Sequence, residues 1–167
     1  MTKTTASQGG ANGLPAASTG TECVADILER ELDPMIRDWM ALVEKEPDLA
    51  RIRLNFQERT GHLPKLIHDV IARLRLDRGT TAPVSVAAGH HGELRRKQGY
   101  TAAMVVDESR ILQVSIFSTL HRNEHRVKFS QLLPDVVTIA DEVDAQLKEQ
   151  ILCFLPGKRI AKKEATK

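Results

Sequence analysis

Hydrophobic residues recur at three- and four-residue steps along most of the chain, the spacing that places them on one face of an α-helix. The first such segment covers residues 24–43, and Asp33-Pro34 interrupts it. A short helix can end near Leu32 and another begin, because aspartate caps helices and proline suits the first turn; a single kinked helix is the alternative. The residues expected to face inward are Val24, Ile27, Leu28, Ile36, Trp39, Met40 and Val43.

A second helical segment starts at Asn55, which is followed three residues later by Glu58, a variant of the capping box. Pro64 falls inside this segment and should kink it, since proline removes a backbone hydrogen bond. Residues 77–83 are rich in turn formers and predict a loop. The inner face should consist of Leu63, Leu66, Ile67, Val70, Ile71 and Leu74.

The third and fourth helices flank Gly99. We expect the third over about 83–98, and the fourth from Thr101, whose hydroxyl can cap it. Two helices joined by so short a turn can pack as an antiparallel hairpin. The fourth helix should bury Met104, Val105, Ile111, Leu112, Ile116 and Leu120.

The fifth helix begins at Ser130, and its apolar stripe is close to a heptad repeat. Such a stripe suits packing within the bundle and contact with a partner helix equally well. The stripe consists of Leu133, Val136, Val137, Ala140, Val143, Leu147, Ile151 and Phe154. The acidic residues expected on the solvent side are Asp135, Asp141, Glu142 and Asp144. With no alternating strand pattern, the fold class is all-α: a bundle of about five helices, of which a globin-like arrangement is one form.

The two ends of the chain differ from the middle. Residues 1–20 are mostly Gly, Ser, Thr and Ala, which cannot bury enough surface to offset the entropy lost on ordering, so we expect a disordered tail. Residues 157–167 are lysine-rich and follow Pro156, which predicts a basic flexible tail, with contact to an anionic surface as a minor alternative. Residues 21–156 should form a single helical domain.

Charge and composition narrow the class of protein. A net charge of +2 is too small to indicate nucleic-acid binding. No apolar run approaches the ~20 residues of a membrane span, and the N-terminus lacks the apolar core of a signal peptide, so we expect a cytoplasmic protein without membrane contact. Cys23 and Cys153 are interpreted as free thiols.

The sequence HRNEH at 121–125 has the H-x-x-E-H spacing of the inverted zinc peptidases. Such a site needs both histidines on one helix face, the glutamate as base and a third ligand from a later helix. The apolar stripe of the fourth helix stops at Leu120, and no third ligand is evident. We interpret the motif as the polar end of the fourth helix. A metal-dependent hydrolase using His121, Glu124 and His125 is the alternative function.

A second polar group lies on inward faces. His91 falls in line with the apolar positions of the third helix, Arg95 follows one turn later, and Glu108 lies on the inner face of the fourth helix. The positions that define this face of the third helix are Val84, Ala87, Ala88 and Leu94. A buried carboxylate needs a charged or hydrogen-bonding partner. We therefore predict a buried His91–Arg95–Glu108 cluster, which either fixes the helix register or senses pH or a ligand.

Other cofactor chemistry finds little support. His62, His68 and His91 are candidate haem ligands, but the aromatic residues that usually wall a porphyrin make up only 4% of the chain. There is no Gly-rich phosphate loop, no G-x-S-x-G and no C-x-x-C. We expect neither a cofactor nor a metal.

Two stretches resemble a known family. RTGHLPKLIHDVIARLRL (59–76) resembles a signature in which His-Leu-Pro opens a leucine-rich helix, and AAGHHGELRRKQGYTAAMVVDESRIL (87–112) is similar to the same family's His-Gly, Arg, Gly-Tyr and acidic pattern. DWMALVEKEPDLA (38–50) also fits. Over roughly residues 24–152 the chain resembles the RsbRD N-terminal domain family, the sensory module of RsbT co-antagonist proteins and of many bacterial sensor histidine kinases. The matched positions are His62, Leu63, Pro64, His91, Gly92, Arg95, Gly99, Tyr100 and Glu108. Ser109 stands where an aromatic commonly follows the acidic position.

The resemblance implies an all-α input domain of bacterial, stress-response-type signalling without catalysis of its own. It adds His62 and Tyr100 as weaker members of the candidate site. In relatives the output domain lies downstream, and one of ordinary size does not fit after Phe154, so we expect a stand-alone sensor or an isolated input domain. The expected partner is a histidine kinase or an anti-sigma regulatory component, with a homodimer as a further option. The expected mechanism is a population shift in helix packing that the last helix reports.

Overall fold

The computed structural model describes residues 21–77 and 79–156, and every regular element within them is helical. The α-helices are α1 (Val24–Arg30), α2 (Leu32–Val43), α3 (Pro47–Ala50), α4 (Phe56–Thr60), α5 (Leu63–Arg75), α6 (Val86–Lys97), α7 (Ala102–Arg122) and α8 (Phe129–Phe154). A 3₁₀ turn, Glu124–Arg126, lies between α7 and α8. The predicted all-α class is confirmed. The tails predicted at 1–20 and 157–167 lie outside the described residues.

The longer helices α2, α5, α6, α7 and α8 correspond to the five predicted segments. The first predicted segment is two helices, and the break between α1 and α2 falls at Glu31, one residue before the end predicted near Leu32. The capping box is present: the Asn55 side chain accepts from the Glu58 N–H at 2.9 Å, and Glu58 accepts from the Asn55 N–H at 2.8 Å. The kink predicted at Pro64 is absent. Pro64 occupies the first turn of α5 instead, where the missing N–H would have no partner within the helix.

Helix α6 begins three residues later than predicted. The Ser85 hydroxyl accepts from the Ala88 N–H at 3.0 Å and so caps the helix at Val86. Val84 precedes the helix and is exposed, and Leu94 is partly exposed, so neither defines the inward face. That face consists of Ala88, Gly89, His91, Gly92 and Arg95.

The glycines of α6 allow it to touch α8 backbone to backbone. A Cβ atom added to Gly92 would lie 2.0 Å from the carbonyl oxygen of Gln150, closer than any side chain tolerates. One added to Gly89 would lie 3.2 Å from Cys153 Sγ. The α6–α8 contact at this point therefore requires glycine.

Helix α7 agrees closely with the sequence pattern. The Thr101 hydroxyl accepts from the Met104 N–H and caps it, and all six residues predicted to face inward are buried. The core around α7 is almost wholly aliphatic, and Trp39 of α2 lies in it without exposure. The cysteines are free, Cys23 exposed and Cys153 buried.

The inward face of α8 matches the predicted one only in part: Val143 is buried, and Val136, Leu147, Ile151 and Phe154 pack partly buried against the core, as predicted. Leu133 and Val137 are 65% and 62% exposed, while Glu142, predicted to face solvent, is buried. The residues that α8 buries are Ile139, Glu142, Val143, Gln146, Gln150 and Cys153. Two of the inward polar side chains are joined, since Gln146 Nε2 donates to the Leu66 carbonyl and to Glu142 Oε1, both at 3.0 Å, whereas the buried Oε1 atoms of Gln146 and Gln150 have no hydrogen-bond partner among the described residues. Burial raises the pKa of Glu142 above its usual value.

Among the described helices, none has both the length and the hydropathy needed to cross a membrane.

Candidate functional site

Glu108 lies at the centre of a buried polar cluster between α6 and α7. Gly99 adopts the left-handed conformation, at φ +83°, and reverses the chain so that Arg95 lies level with Glu108. Arg95 Nε donates to Glu108 Oε2 at 2.8 Å, and His91 Nε2 lies 3.3 Å from the same oxygen. The three residues are at most 3% exposed. The structure therefore brings together His91, Arg95 and Glu108, in the hairpin expected from the sequence.

The second carboxylate oxygen of Glu108 is bound by a residue from the turn. The Tyr100 hydroxyl donates to Glu108 Oε1 at 2.8 Å and accepts from Arg59 Nη1 at 2.9 Å. Arg59 Nη2 donates to the carbonyls of Leu49 at 3.2 Å and Ile52 at 2.5 Å. Burial, reinforced by the charge of Glu108, raises the pKa of Tyr100 far above its usual range. The phenol therefore keeps its proton and remains a donor.

Arg95 connects the cluster to α4. Its Nη1 donates to Gln98 Oε1 at 2.7 Å and to the Glu58 carbonyl at 3.3 Å, and its Nη2 donates to the Arg59 carbonyl at 2.7 Å. Those two carbonyls lie in the last turn of α4, where they have no partner within the helix. The guanidinium carbon also lies 4.8 Å from the centre of the Tyr100 ring. Arg95 is thus held by side chains and backbone from three directions.

The cluster contains more positive than negative charge. Burial alone would raise the pKa of Glu108, but the hydrogen bond from His91 and the charge of Arg95 hold it below its usual value. Glu108 is therefore ionised; it pairs directly with Arg95 and is linked to the buried Arg59 through the Tyr100 hydroxyl. Removing this anion would leave both cations uncompensated in the core.

The partly buried His62 stacks on the buried His91. His62, the residue that precedes α5, packs its ring on that of His91 with 3.8 Å between the centroids and 17° between the planes. The Trp39 ring meets His62 edge-on, 6.2 Å away and at 82°. Trp39 Nε1 in turn donates to the backbone carbonyl of Glu108 at 3.3 Å. The cluster is thereby joined to α2 and α5 as well as to α4, α6 and α7.

Histidine, cysteine, aspartate and glutamate are side chains that can bind a metal ion. Among the described residues, one group of three of them has its ligand atoms within 4.8 Å of one another: His62, His91 and Glu108. A metal ion must lie near the plane of each imidazole that binds it, about 2.1 Å from the nitrogen. Two nearly parallel rings stacked at 3.8 Å cannot direct their lone pairs at one such point. Glu108 Oε2 is also occupied by Arg95. This arrangement does not fit a metal ion unless the rings separate.

The cavity beside the histidines is small. Its volume is about 10 Å³, room for about one water molecule. It is lined by Trp39, His62, Leu63, Leu66, His91, Glu108, Ser109, Leu112 and Gln150. An organic substrate or a porphyrin does not fit there. His68, the third histidine considered as a haem ligand, lies on the exposed side of α5.

The residues of HRNEH do not converge. Helix α7 ends at Arg122, and His125 lies in the following 3₁₀ turn, so the two histidines do not share a helix face. His121 Nδ1 lies 3.2 Å from Glu124 Oε2, with side chains 80% and 62% exposed. No described group of three ligand-bearing residues includes any member of the motif. The motif lies at the end of the helix, as the sequence pattern predicted.

Sequence reasoning missed Arg59 and Gln150. Arg59 opens the stretch RTGHLP, but α4 has only five residues and shows no periodicity from which an inward arginine could be inferred. Gln150 lies outside the predicted apolar stripe of α8, so the sequence pattern does not identify it as a buried residue. The signal in the sequence is the pair Gly89 and Gly92, since two glycines on one helix face indicate close contact with another helix, here the part of α8 that contains Gln150.

Comparisons with models of protein families, with curated proteins and with solved structures find no match for this chain. The resemblance to the RsbRD N-terminal domain family therefore stays a prediction that rests on the quoted motifs. The geometry of the cluster and of α8 is what supports a function.

Proposed function

We propose that this chain is a non-enzymatic signalling module of the RsbRD N-terminal type, in which the packing of α8 reports the state of the buried cluster to a partner protein. The observation that carries the proposal is the orientation of α8. In its N-terminal part the apolar residues Phe129, Leu133 and Val137, four residues apart, are exposed, while the polar residues Glu142, Gln146 and Gln150 further along are buried. Exposed apolar side chains at helical spacing favour contact with another helix.

The cluster supports the input half of the proposal. Its charged groups come from α4, α6 and α7, and its small cavity has no room for an organic substrate. Buried charge is costly unless fully partnered, so such a cluster favours one packing of these helices over others. A signal that changed its charge or contacts would shift the population of packings. This favours regulation over catalysis.

We propose a histidine kinase or an anti-sigma regulatory component as the partner, which binds through a helix of its own. The full chain, immobilised at pH 7.5, should retain such a protein from a lysate of the source organism, identified by mass spectrometry. The double variant Leu133→Glu/Val137→Glu should lose it, because two carboxylates replace exposed apolar surface. The matched control is Val106→Glu/Val114→Glu on α7, where both residues are also partly exposed.

Three results would bear on this proposal differently. Retention of a kinase or anti-sigma component by the wild type and the α7 control, but not by the α8 variant, supports it. Equal retention by all three proteins contradicts the role of α8. Self-association that only the α8 variant abolishes, measured by sedimentation, assigns this surface to a homodimer instead.

A further inference from the structure

His62, which is partly buried, and His91, which is buried, have no anion beside them that is free to balance a positive charge on either ring. Glu108 is already paired with Arg95, so His91 needs only to donate its Nε2 proton to the carboxylate, as a neutral ring does. The Nδ1 atoms of both His62 and His91 are buried and have no hydrogen-bond partner among the described residues. A second proton on His91 would go to Nδ1, where no acceptor in the described part of the chain meets it.

The charged groups around the rings also oppose protonation. The charge of Arg95 from α6 acts on both rings and is paired with Glu108 from α7, while Arg59 from α4 joins the cluster through the Tyr100 hydroxyl. The neighbours from α2 and α8, Trp39 and Gln150, are uncharged, and Tyr100 keeps its proton. A protonated ring would therefore add a further positive charge to a cluster in which cations already outnumber anions.

The two histidines respond to burial in the same direction. Burial, then the charges of His91 and Arg95, hold the pKa of His62 well below its usual value. Burial likewise lowers the pKa of His91, although the Glu108 carboxylate acts in the opposite direction. Both rings are neutral in the packed state at pH 7, and both gain affinity for protons when they reach water.

Displacement of these rings acts directly on α8. His91 is adjacent to Gly92, whose backbone touches Gln150, and Gln150 lines the same cavity as both rings. A charged ring that moved towards water would separate α6 from α8 at this contact. The neighbouring element most directly affected is therefore the helix that carries the exposed apolar stripe.

We propose that His62 and His91 form a proton-operated switch, in which acidification charges a ring, breaks the stack and loosens α8 from α6. This inference deepens the proposed function, on which its biological meaning rests, by naming the proton as the signal. Its test requires no partner protein. Failure of the partner experiment would leave the switch intact, and failure of the switch would leave the docking surface intact.

The direction of the effect follows from the lowered pKa values. The packed state binds fewer protons than the loosened or unfolded state, so its stability is complete above about pH 6.5 and declines as the pH falls below that value. Glu108, whose pKa is lowered, adds a loss that begins only below about 4.5. Glu142, whose pKa is raised, acts in the opposite sense, because its contribution is lost as the pH rises through its own pKa.

Urea unfolding of the full chain between pH 7.5 and 5.0 tests the switch, in a Glu142→Gln background that removes the opposing group. The urea midpoint should shift to lower concentration as the pH falls. His62→Gln and His91→Gln should each reduce that shift, since glutamine does not titrate. His90→Gln is the matched control, because His90 is adjacent and exposed, and it should leave the shift unchanged.

A second measurement covers variants that fail to fold. Trp39 is the only tryptophan and meets the His62 ring edge-on, so its emission reports a change in the charge or the position of that ring. Emission of the wild-type chain should change reversibly on acidification, with a midpoint below pH 6.5, together with lower amide protection factors in α8 once the intrinsic pH dependence of exchange is taken into account. An unfolding midpoint and an emission that both stay constant from pH 7.5 to 5.0 would overturn the switch. So would a shift that neither His62→Gln nor His91→Gln reduces.

Discussion

The stretches HHGE at 90–93 and HRNEH at 121–125 have similar composition, and the structure places them in opposite environments. His91 is buried, stacked on a second histidine and hydrogen-bonded to Glu108 on another helix. His121 is 80% exposed, and its carboxylate neighbour, Glu124, is three residues away. Spacing along the chain gave the stronger motif to the second stretch. Convergence of distant residues, which spacing does not reveal, gave the first stretch its organised chemistry.

The most severe test of this comparison makes the same substitution in both places. Glu108→Gln should lower the free energy of unfolding by about 3 kcal/mol or more, because it leaves Arg95 and Arg59 buried without an anion. Glu124→Gln should change it by less than about 0.5 kcal/mol, as expected for an exposed residue. Urea denaturation at pH 7.5 measures both.

Comparable small losses for the two variants would show that the buried cluster does not hold the helices together. The tests of the α8 surface and of the proton switch would then lose their structural basis. Because glutamine has nearly the same size as glutamate, a large loss in Glu108→Gln could not be attributed to a new cavity.

A second test compares two neighbouring arginines on α6. Arg95→Lys replaces a guanidinium that contacts Glu108, Gln98 and two carbonyls of α4 with a single ammonium, which cannot reach all of them. We expect a loss of about 2 kcal/mol, from buried acceptors left unsatisfied. Arg96 is exposed, so Arg96→Lys should be nearly neutral. Thermal and urea denaturation should give the same order, and equal effects would contradict the assigned role of Arg95.

Contacts between residues close along the chain could be predicted from the sequence. Arg95 and Glu108 are 13 residues apart in one hairpin, so helical periodicity and the glycine turn were enough to bring them together. The burial pattern of α7 followed for the same reason, since the spacing of apolar positions determines which side of a helix faces the core.

The sequence pattern did not predict the burial of residues whose contacts are with partners far away along the chain. Arg59 reaches Tyr100 across 41 residues, from a helix too short to show a period. The inward face of α8 depends on whether Gln146 finds the Leu66 carbonyl, 80 residues away, and on whether glycine lets α6 approach. Polarity alone places Glu142 on the solvent side, whereas in the structure it is buried and its Oε1 accepts a hydrogen bond from Gln146 Nε2.

The smallest expected effect concerns HRNEH itself. His121→Ala removes an exposed contact with Glu124 at a helix end and should leave stability unchanged within error, by about 0.5 kcal/mol at most. Purified full-length chain should carry far less than one equivalent of zinc by elemental analysis, because α7 ends before His125 and no third ligand among the described residues approaches. Stoichiometric zinc that disappears in His121→Ala would reverse the comparison. It would mean that zinc can extend α7 through residue 125, and that four-residue spacing outweighed the exposure of the side chains in this structure.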